Sequence, residues 1–514
     1  MHNLKSRKHL SDEINQIQIK IIKIKLKEIL YNSLAQACIK VHKTPHPTVK
    51  LFLIACICLA SSLTSLLVIQ SFLDYYKYEV STTTRVIFEI PSFFPMVTIC
   101  QSSLFMTPDA FKFLKVINME FMNDIKLDIF NSSQMATLSV EEKYEKFWRL
   151  YLLATAKMND RRFSNETRKL SYPLEDILLS CKYNNQKCNA SDFTWKFDRL
   201  FGNCFVFNSA QYSSDAKKSY IGGSLYGLKL AFYANYDKSL NTFNSIFPRG
   251  AQIRIENNSF QSYETNFDNI FVAPGYSTSI SVERSFKFIK AKPYSNCDIE
   301  ENYTPNYWDK DFFKEILKSN LSYTQSLCFF ECYQRELIKK CNCSDPWFTS
   351  IIDISPCSSN NETDCLVQIY NSVFLSSLSD FIKTECVPHC PLECTRKEFK
   401  YTISNQIIDN WYYNEKIESN KNFISEIKSR NSSLKESVIA VNVYYNSLTY
   451  NLSTESQLKD ILSLLAYIGG ISGLFLGVSF FSIFELIEVL MDIYFIKKIN
   501  YIDGKTGEFS IEKY

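Results

Sequence analysis

Two long uncharged apolar runs stand near opposite ends of the chain, and a much more polar stretch separates them. They cover residues 51–73 and 461–484. A helix of either length rises about 35 Å, which is enough to cross the hydrocarbon core of a bilayer. A buried core helix is the alternative for each run, but soluble helices this long usually carry a polar stripe. The pattern therefore predicts two membrane spans.

The first run has a second alternative, a cleaved signal peptide. It begins 50 residues into the chain and is longer than the apolar region of such a peptide, so a retained anchor fits better. Residues 1–50 hold ten Lys or Arg against three acidic residues, and Lys497 and Lys498 follow the second run. Short segments rich in basic residues stay on the cytoplasmic side. Both termini are therefore predicted to be cytoplasmic and the middle of the chain extracellular.

This topology divides the chain into five segments. They are a cytoplasmic N-terminal segment (1–50), a first transmembrane helix (51–73), an extracellular cysteine-rich domain (74–460), a second transmembrane helix that would line a pore (461–496) and a cytoplasmic tail (497–514). The extracellular segment mixes β-branched and aromatic runs, at 86–100, 224–234, 251–257, 278–284 and 437–447, with helical patterns at 140–158 and 308–340. The predicted fold class is an α+β membrane protein, with a central β core surrounded by helices.

The composition fits an oxidising compartment. Of the 514 residues, 17 are Cys, which is more than a reducing cytosolic enzyme usually carries. The net charge is only +3, so nothing in the charge balance points to a nucleic-acid partner.

Fourteen cysteines lie between the spans, an even number that permits full pairing. They are Cys100, Cys181, Cys188, Cys204, Cys297, Cys328, Cys332, Cys341, Cys343, Cys357, Cys365, Cys386, Cys390 and Cys394. Nine fall between Cys328 and Cys394, which predicts a disulfide-stapled subdomain. Cys328 and Cys332 are one helical turn apart and would staple a helix to a neighbour. Zinc is the alternative for two groups of cysteines, although disulfides are the expected chemistry outside the cell. The groups are Cys341 with Cys343, and Cys386 with Cys390 and Cys394.

Ten Asn-x-Ser/Thr sequons also lie between the spans, which agrees with an extracellular location for this segment. They begin at Asn131, Asn165, Asn189, Asn257, Asn302, Asn320, Asn342, Asn361, Asn431 and Asn451. The segment is most of the chain, so the confinement of the sequons supports the topology without deciding it.

The second run carries the residues with candidate chemistry. Gly469, Gly473 and Gly477 recur at every fourth position, beside Ser472 and Ser479. Small residues at this spacing let membrane helices pack closely, which is one interpretation. The other is that the glycines free the backbone to leave helical geometry, which a bilayer tolerates only where the segment lines water or protein. Carbonyl and hydroxyl oxygens there could coordinate a partly dehydrated cation.

Three carboxylates follow this stretch, at Glu485, Glu488 and Asp492. At about 100° per residue they fall within an arc of roughly 60° on one helix face. A ring of such carboxylates attracts cations, and the alternative is that they only mark the cytoplasmic exit. Two helices cannot enclose a pore, so conduction would require a symmetric oligomer.

These residues resemble the degenerin, epithelial sodium channel and acid-sensing ion channel family over nearly the whole chain after residue 50. The most specific matches are FPMVTIC (94–100), GNCFVFN (202–208), APG (273–275), KPYSNC (292–297), CFFECYQRELIKKCNC (328–343) and IGGISGLFLGVSFFSIFELIE (468–488). The resemblance implies a trimer that is permeable to Na+, often blocked by amiloride, and free of any cofactor or resident metal.

The resemblance also implies roles for individual residues. Gly477, Val478 and Ser479 would form a selectivity filter, Gly473 would lie at the amiloride site, and Ala466 would occupy the degenerin position, where a small side chain permits closure. The outer cysteines match the seven-bridge pattern of the acid-sensing branch. That pattern would pair Cys100 with Cys204, Cys181 with Cys188, Cys297 with Cys394, Cys328 with Cys390, Cys332 with Cys386, Cys341 with Cys365, and Cys343 with Cys357.

Two positions depart from the family pattern. Before the first span the family carries a His-Gly pair important for gating, whereas here Lys43 follows His42. The acid-sensing branch has an aspartate before its Ile-Gly-Gly, and Tyr467 occupies that place here, as in branches that lack this outer acidic ring. His389 is the single histidine between the spans, so acid sensing through imidazole has little basis in this sequence.

The leading hypothesis is a plasma-membrane sodium channel, made of three identical or related subunits within the lipid bilayer. An extracellular peptide, acid or force would gate it, or it would be constitutively open. A trimeric ATP-gated channel shares the two-span plan, but the Gly-x-Ser stretch and the cysteine spacing favour the first family. A non-conducting membrane-tethered receptor or adhesion protein is the alternative from another class. An enzyme is not predicted, because no nucleophile motif appears.

Overall fold

The protein is described by a computed structural model. It describes residues 41, 44–101, 104–125, 129–130, 132–158, 167–209, 216–234, 249–257, 269–298, 323–348, 351–352, 354–376, 378–408 and 437–477, together with the single positions 484, 487, 488, 491 and 494. The chain forms two compact units. The first combines Met1–Ser81 with Ser456–Tyr514, and the second is Thr82–Glu455.

The α-helices and β-strands of the described residues are as follows. The helices are α1 (Pro47–Tyr76), α2 (Pro108–Ile125), α3 (Ser132–Ala136), α4 (Val140–Met158), α5 (Leu174–Ile177), α6 (Gln325–Cys341), α7 (Asn360–Tyr370), α8 (Leu378–Phe381) and α9 (Ile461–Leu476). The strands are β1 (Val80–Phe88), β2 (Ser92–Phe93), β3 (Met96–Gln101), β4 (Leu178–Tyr183), β5 (Gln186–Lys187), β6 (Phe193–Asp198), β7 (Gly202–Phe207), β8 (Lys218–Ser219), β9 (Leu228–Tyr233), β10 (Ala251–Glu256), β11 (Ile270–Val272), β12 (Tyr276–Phe288), β13 (Cys297–Asp298), β14 (Leu392–Glu393), β15 (Thr395–Ile407) and β16 (Val438–Gln457). Two π-helical segments, Asn371–Ser376 and Ile382–Cys386, flank α8.

The larger sheet of the second unit has seven strands. Its order is β15-β12-β16-β9-β4-β5, and β1 also pairs with β16. Strands β12 and β15 form an antiparallel ladder over 13 residue pairs, whereas β12 and β16 run parallel. Because β16 lies inside the sheet, its first residues are buried on both faces, and they read as a nearly continuous apolar run.

A five-stranded sheet, in the order β11-β10-β3-β7-β6, packs against the larger one. The core between them joins Val97 and Ile253 of the smaller sheet to Ile280 and Val441 of the larger, all exposed by 1% or less. Strands lie in each of the five runs that the sequence pattern predicts. The predicted mixture of helices and strands with many disulfides is confirmed.

A helical layer built on α2 and α4 forms a second core. Helix α4 spans the residues 140–158 that the pattern predicts. It begins at a capping box, in which the Glu142 N–H donates to Ser139 Oγ at 3.2 Å and the Ser139 N–H donates to Glu142 Oε2 at 2.8 Å. Its buried side chains Leu150, Tyr151 and Ala154 recur at helical spacing and pack with α2.

Seven disulfides link the fourteen described cysteines of the second unit. They are Cys100–Cys204, Cys181–Cys188, Cys297–Cys394, Cys328–Cys390, Cys332–Cys386, Cys341–Cys365 and Cys343–Cys357, and they are the pairs that the family resemblance implies. Four of them lie wholly within residues 328–394, hereafter the stapled subdomain. Cys328 and Cys332 fasten α6 to Cys390 and to Cys386, the last residue of a π-helical segment, which is the helix staple that their spacing predicts. Cys341 and Cys343 are both oxidised, so neither is a thiolate ligand for zinc.

Candidate functional site

Helices α1 and α9 lie side by side in the first unit and run in opposite directions. An ion pair of 3.0 Å joins Asp74, near the end of α1, to Lys459, which precedes α9, so the end of one helix lies beside the start of the other. Each helix buries two side chains, one helical repeat apart. They are Thr64 and Ser71 on α1 and Leu464 and Ile471 on α9, hereafter the α1–α9 seam. Small residues on one helix let the larger residues of the other approach closely.

Outside this seam, both helices present apolar side chains to the surroundings. Leu51 and Leu66 of α1 are 71% and 64% exposed, and Leu474 of α9 is 80% exposed. Helix α1 carries no charge between Lys50 and Asp74, and its length and composition allow it to cross a membrane. An apolar surface of this extent is costly in water, so α1 is suited to lipid.

Helix α9 is shorter than the run that predicted it. It has 16 residues and ends at Leu476, inside the uncharged run 461–484. Within the described residues, α1 is therefore the one helix long and apolar enough to span a bilayer, and the second predicted span is not confirmed. Further along the chain, the described positions Phe484 and Glu488 have a helical backbone.

The end of α9 has a definite cause. Gly477 adopts a left-handed backbone with φ of 70°, and its N–H donates to the carbonyls of Gly473 and Ser472. A residue with a Cβ atom is strained in this conformation, whereas glycine adopts it freely. The glycine therefore ends the helix in the middle of an apolar segment, which is one of the two interpretations that the sequence leaves open.

The smallest residues of α9 share one face. At about 100° per residue, Ala466, Gly470, Gly473 and Gly477 fall within an arc of roughly 60°, about 140° around the axis from the α1–α9 seam. All four are exposed, and a Cβ atom built on Gly470 or Gly477 would meet nothing within 4 Å. This small-residue face of α9 therefore points away from α1 and is open to a ligand, to water or to another helix.

The structure describes only some of the predicted site residues. Ala466, Gly473 and Gly477 lie together on the small-residue face, and Glu488 is helical and exposed. The remaining members of the predicted site, Val478, Ser479, Glu485, Asp492 and His42, lie outside the described residues. The roles of all these residues, in the selectivity filter, the acidic face, the amiloride site, the degenerin position and gating, therefore stay predictions.

Polar contacts at the start of α9 were not predicted from the sequence. Asp460 caps the helix, because its side chain accepts from the Ser463 N–H at 2.8 Å and the Asp460 N–H donates to Ser463 Oγ at 3.0 Å. Hydrogen bonds from the side chain and from the backbone N–H of Ser463 lower the pKa of Asp460. The signal in the sequence is Asp460 just before an apolar run, with Ser463 three residues on.

Three tyrosines cluster where α1 ends. The ring centroids of Tyr75 and Tyr76 are 5.6 Å apart, and each lies 6.4 Å from the centroid of Tyr78. Tyrosines are enriched at membrane–water boundaries, where the ring is apolar and the hydroxyl is wet. Their position agrees with the end of a span near Asp74.

The stapled subdomain contains a buried carboxyl group. Tyr333 donates to Asp345 Oδ2 at 3.0 Å, and the Trp347 N–H donates to Asp345 Oδ1 at 2.9 Å. Burial raises the pKa of Asp345 from 3.8 to about 6, although these hydrogen bonds and the charge of Arg199 oppose the change. Burial, with the neighbouring Asp345 charge, also holds the pKa of Tyr333 well above its usual value.

Five of the ten predicted glycosylation sites can be placed. Asn189, Asn342 and Asn361 are exposed, while Asn257 and Asn451 are half-buried. Asn342 is also the left-handed residue that ends α6. The other five, Asn131, Asn165, Asn302, Asn320 and Asn431, lie outside the described residues.

Comparison with known proteins assigns the family. A family model described as amiloride-sensitive sodium channel matches residues 30–489, which is most of the chain. The protein therefore belongs to the amiloride-sensitive sodium channel family, and the resemblance seen in the motifs is confirmed. The match includes both α1 and α9 and the whole of the unit between them.

The similar proteins come from two branches of this family. The epithelial sodium channel subunit beta-2 of Xenopus laevis is 26% identical over 332 residues, which cover 63% of this chain and 48% of that protein. The degenerin-like protein asic-2 of Caenorhabditis elegans is 24% identical over 446 residues, covering 81% of this chain and 77% of that protein. The degenerin-like protein unc-105 of the same organism is 26% identical over 333 residues, which cover 63% of this chain and 35% of that protein. The chain therefore spans about half the length, or less, of two of these relatives.

Proposed function

We propose that the chain is one subunit of a trimeric, sodium-selective cation channel of the plasma membrane. The observation that carries this proposal is the small-residue face of α9, which points away from α1 and ends at the left-handed Gly477. Family membership supports it, because similar proteins are named as sodium channel subunits. Two helices cannot enclose a pore, so several copies must contribute a face to one pathway.

In this proposal both helices cross the bilayer, and both termini are cytoplasmic. Helix α1 is the first span, and α9 with the helical positions from Phe484 onward forms the second. The seven disulfides support an extracellular location for Thr82–Glu455, because disulfides persist in oxidising compartments. The tyrosine cluster at Tyr75, Tyr76 and Tyr78 fits the outer boundary of the membrane.

The pathway narrows where α9 ends. The last carbonyls of a helix lack intrahelical partners, and the C-terminal end of a helix carries partial negative charge. In the sequence, the end of the helix at Leu476 is followed directly by Gly477, Val478 and Ser479, which form the selectivity filter of the proposed channel. Carbonyl and hydroxyl oxygens there replace part of the hydration shell of Na+. Glu485, Glu488 and Asp492 then present an acidic face to the ion on the cytoplasmic side.

Gating acts through the same face of α9. Ala466 occupies the proposed degenerin position, where a larger side chain would keep neighbouring copies of α9 apart, and Gly473 occupies the proposed amiloride site. An extracellular peptide, acid or force shifts the equilibrium between closed and open arrangements, or the channel is constitutively open. The partners are identical or related subunits and the surrounding lipid.

The test is voltage clamp of cells that express the chain, with acid, candidate peptides and membrane stretch applied in turn. We expect an inward current that disappears when external Na+ is replaced by a large organic cation and that amiloride reduces. Ala466→Trp is expected to increase the basal current, whereas Leu464→Met, a conservative change in the α1–α9 seam, is the matched control. Surface-delivered protein that gives no current under any stimulus would contradict the proposal and favour a non-conducting receptor or adhesion protein.

A further inference from the structure

One ion pair joins segments that are far apart in the chain. Lys459 Nζ lies 3.0 Å from Asp74 Oδ2, and the two residues are 385 positions apart. Asp74 stands near the end of α1, and Lys459 stands two residues before the first residue of α9. Both side chains are about one third exposed. The contact therefore fastens the outer end of one helix to the outer end of the other.

The surrounding groups fix the geometry of this pair. Asp74 Oδ1 also accepts from Lys77 Nζ at 2.9 Å, so each oxygen of the carboxylate pairs with one lysine. The Lys459 ammonium lies 5.8 Å from the centroid of the Tyr467 ring. Next to it, the Leu458 N–H donates to the Glu79 carbonyl at 3.0 Å. Lys77 belongs to the α1 segment itself, so Lys459 alone ties the α9 segment to this carboxylate.

The ion pair lies where a separation of the outer helix ends would break it. The α1–α9 seam buries two side chains on each helix, and Asp74 lies beyond Ser71, the last of them. Among the described residues from Pro47 to Tyr76 and from Lys459 to Leu476, it is the one ion pair that joins the two segments. A movement that separates the outer ends of the helices must break it.

We propose that Asp74 and Lys459 are positioning residues that hold the outer ends of α1 and α9 together and thereby set the closed-to-open equilibrium. This inference rests on the proposed function. The pair stabilises the arrangement described, and arrangements in which the outer ends separate lose it. A partly exposed ion pair changes such an equilibrium about two- to fivefold in each subunit, and the effects of identical subunits multiply.

The first experiment replaces and then restores the cation. In a background that lacks Cys38, Cys56 and Cys58, Lys459→Cys is expected to change the ratio of basal to maximal current by about two- to fivefold per subunit. An aminoethyl thiosulfonate reagent attaches a primary ammonium to the new thiol and restores the ratio, because it resembles lysine. A sulfonatoethyl reagent attaches a negative charge. It moves the current ratio further from the value of the channel that has Lys459. A purely steric role for Lys459 would give the same result with both reagents.

The matched control is Lys77→Cys. It removes the other cation from the same carboxylate, at nearly the same distance, but leaves the link between the helices. We expect the current ratio to change little, with or without either reagent. An equal response at Lys77 and Lys459 would overturn the proposal, since the link between helices would then have no special role.

A charge swap provides a second test. Both changes are made in a Lys77→Gln background, because Lys77 would repel a lysine at position 74. In this background Asp74→Lys and Lys459→Asp each place like charges together, and the double variant restores an opposite pair in reverse. We expect both single variants to shift the current ratio and to lower the melting temperature of the purified protein, and the double variant to recover both. Failure of the double variant to recover either would overturn the proposal. If the unmodified chain carries no current, the proposed function fails, while the melting temperatures still decide whether the pair exists.

Discussion

The helix pair α1 and α9 and the stapled subdomain reach stability in opposite ways. In the stapled subdomain, four disulfides enclose a core in which Leu337 is fully buried and Tyr333 is 2% exposed. The helix pair buries two side chains on each helix, and Cys56 and Cys58 remain free thiols there. The subdomain therefore carries its own core and cross-links, while the helices expose apolar side chains that need an apolar surrounding.

The two regions also hold two kinds of carboxyl group, one buried and one partly exposed. Asp345 is held inside the subdomain by fixed donors, and its pKa is raised because water is excluded. Asp74 is partly exposed and faces two lysines at the edge of the helix pair. The pKa of Asp345 therefore depends on its burial in the core. The contacts of Asp74 depend instead on the distance between the two helices.

Removal of a staple is expected to have the largest effect. The double variant Cys332→Ser with Cys386→Ser should lower the free energy of unfolding by about 2–5 kcal/mol, because the bridge closes a long loop and lies in the core. Surface labelling and the melting temperature of the purified protein measure this loss. Cys56→Ser with Cys58→Ser is the control and should change neither. Equal effects of the two double variants would remove the distinction between the regions.

Asp345→Asn tests the buried carboxyl group and its pH dependence. With a folded-state pKa near 6 and an ordinary value of 3.8, the native protein holds a proton between these values that the unfolded chain releases. The contribution of Asp345 therefore favours folding at low pH and is lost as the pH rises through 6. The variant should be more stable than the parent at pH 8, by roughly 3 kcal/mol, and this advantage should vanish near pH 4.

Thermal unfolding of the purified protein from pH 4 to pH 8 measures this difference. The Asn oxygen can accept from the Trp347 N–H, and its NH2 group can donate to the Tyr333 hydroxyl, which accepts as well as donates, so both contacts are retained. The control is Asp109→Asn, an exposed residue that pairs with Lys112 at 3.0 Å, and it should show no comparable dependence on pH. An advantage of Asp345→Asn that stays constant across the pH range would contradict the burial argument.

Gly477→Ala is expected to have a smaller effect on stability and a clear effect on the end of α9. A Cβ atom at this left-handed position costs about 1 kcal/mol. Gly469→Ala is the matched control, since it lies inside the helix where a Cβ atom meets nothing within 4 Å, and alanine favours helix there. The melting temperature in detergent should fall for the first variant and stay constant or rise for the second. A fall of equal size for both would argue against the left-handed turn.

Sequence patterns predicted the elements better than they predicted the contacts between them. The bounds of α4 and the strand at 251–256 follow from local periodicity, because each has one face against a core. The disulfide pairs came from the family resemblance, since spacing alone permits many pairings. The length of α9 could not be predicted, because the same glycines suit both close packing and a left-handed turn.

Other features depend on residues that are distant in sequence. Nothing near Asp74 indicates that Lys459 will lie 3.0 Å away. The pKa of Asp345 depends on its complete burial in the stapled subdomain. Such properties emerge from tertiary packing, so a local pattern of apolar and polar positions does not encode them directly.

The central claim is that the small-residue face of α9 lines water shared by several subunits. The most direct measurement is block of the sodium current by an external, positively charged thiol reagent in a background that lacks Cys38, Cys56 and Cys58. Ala466→Cys and Gly473→Cys place a thiol on that face, and Ile471→Cys places one in the α1–α9 seam. We predict rapid, irreversible block of the first two variants and an unchanged current in the third. Equal modification of all three, or block of Ile471→Cys alone, would contradict the claim.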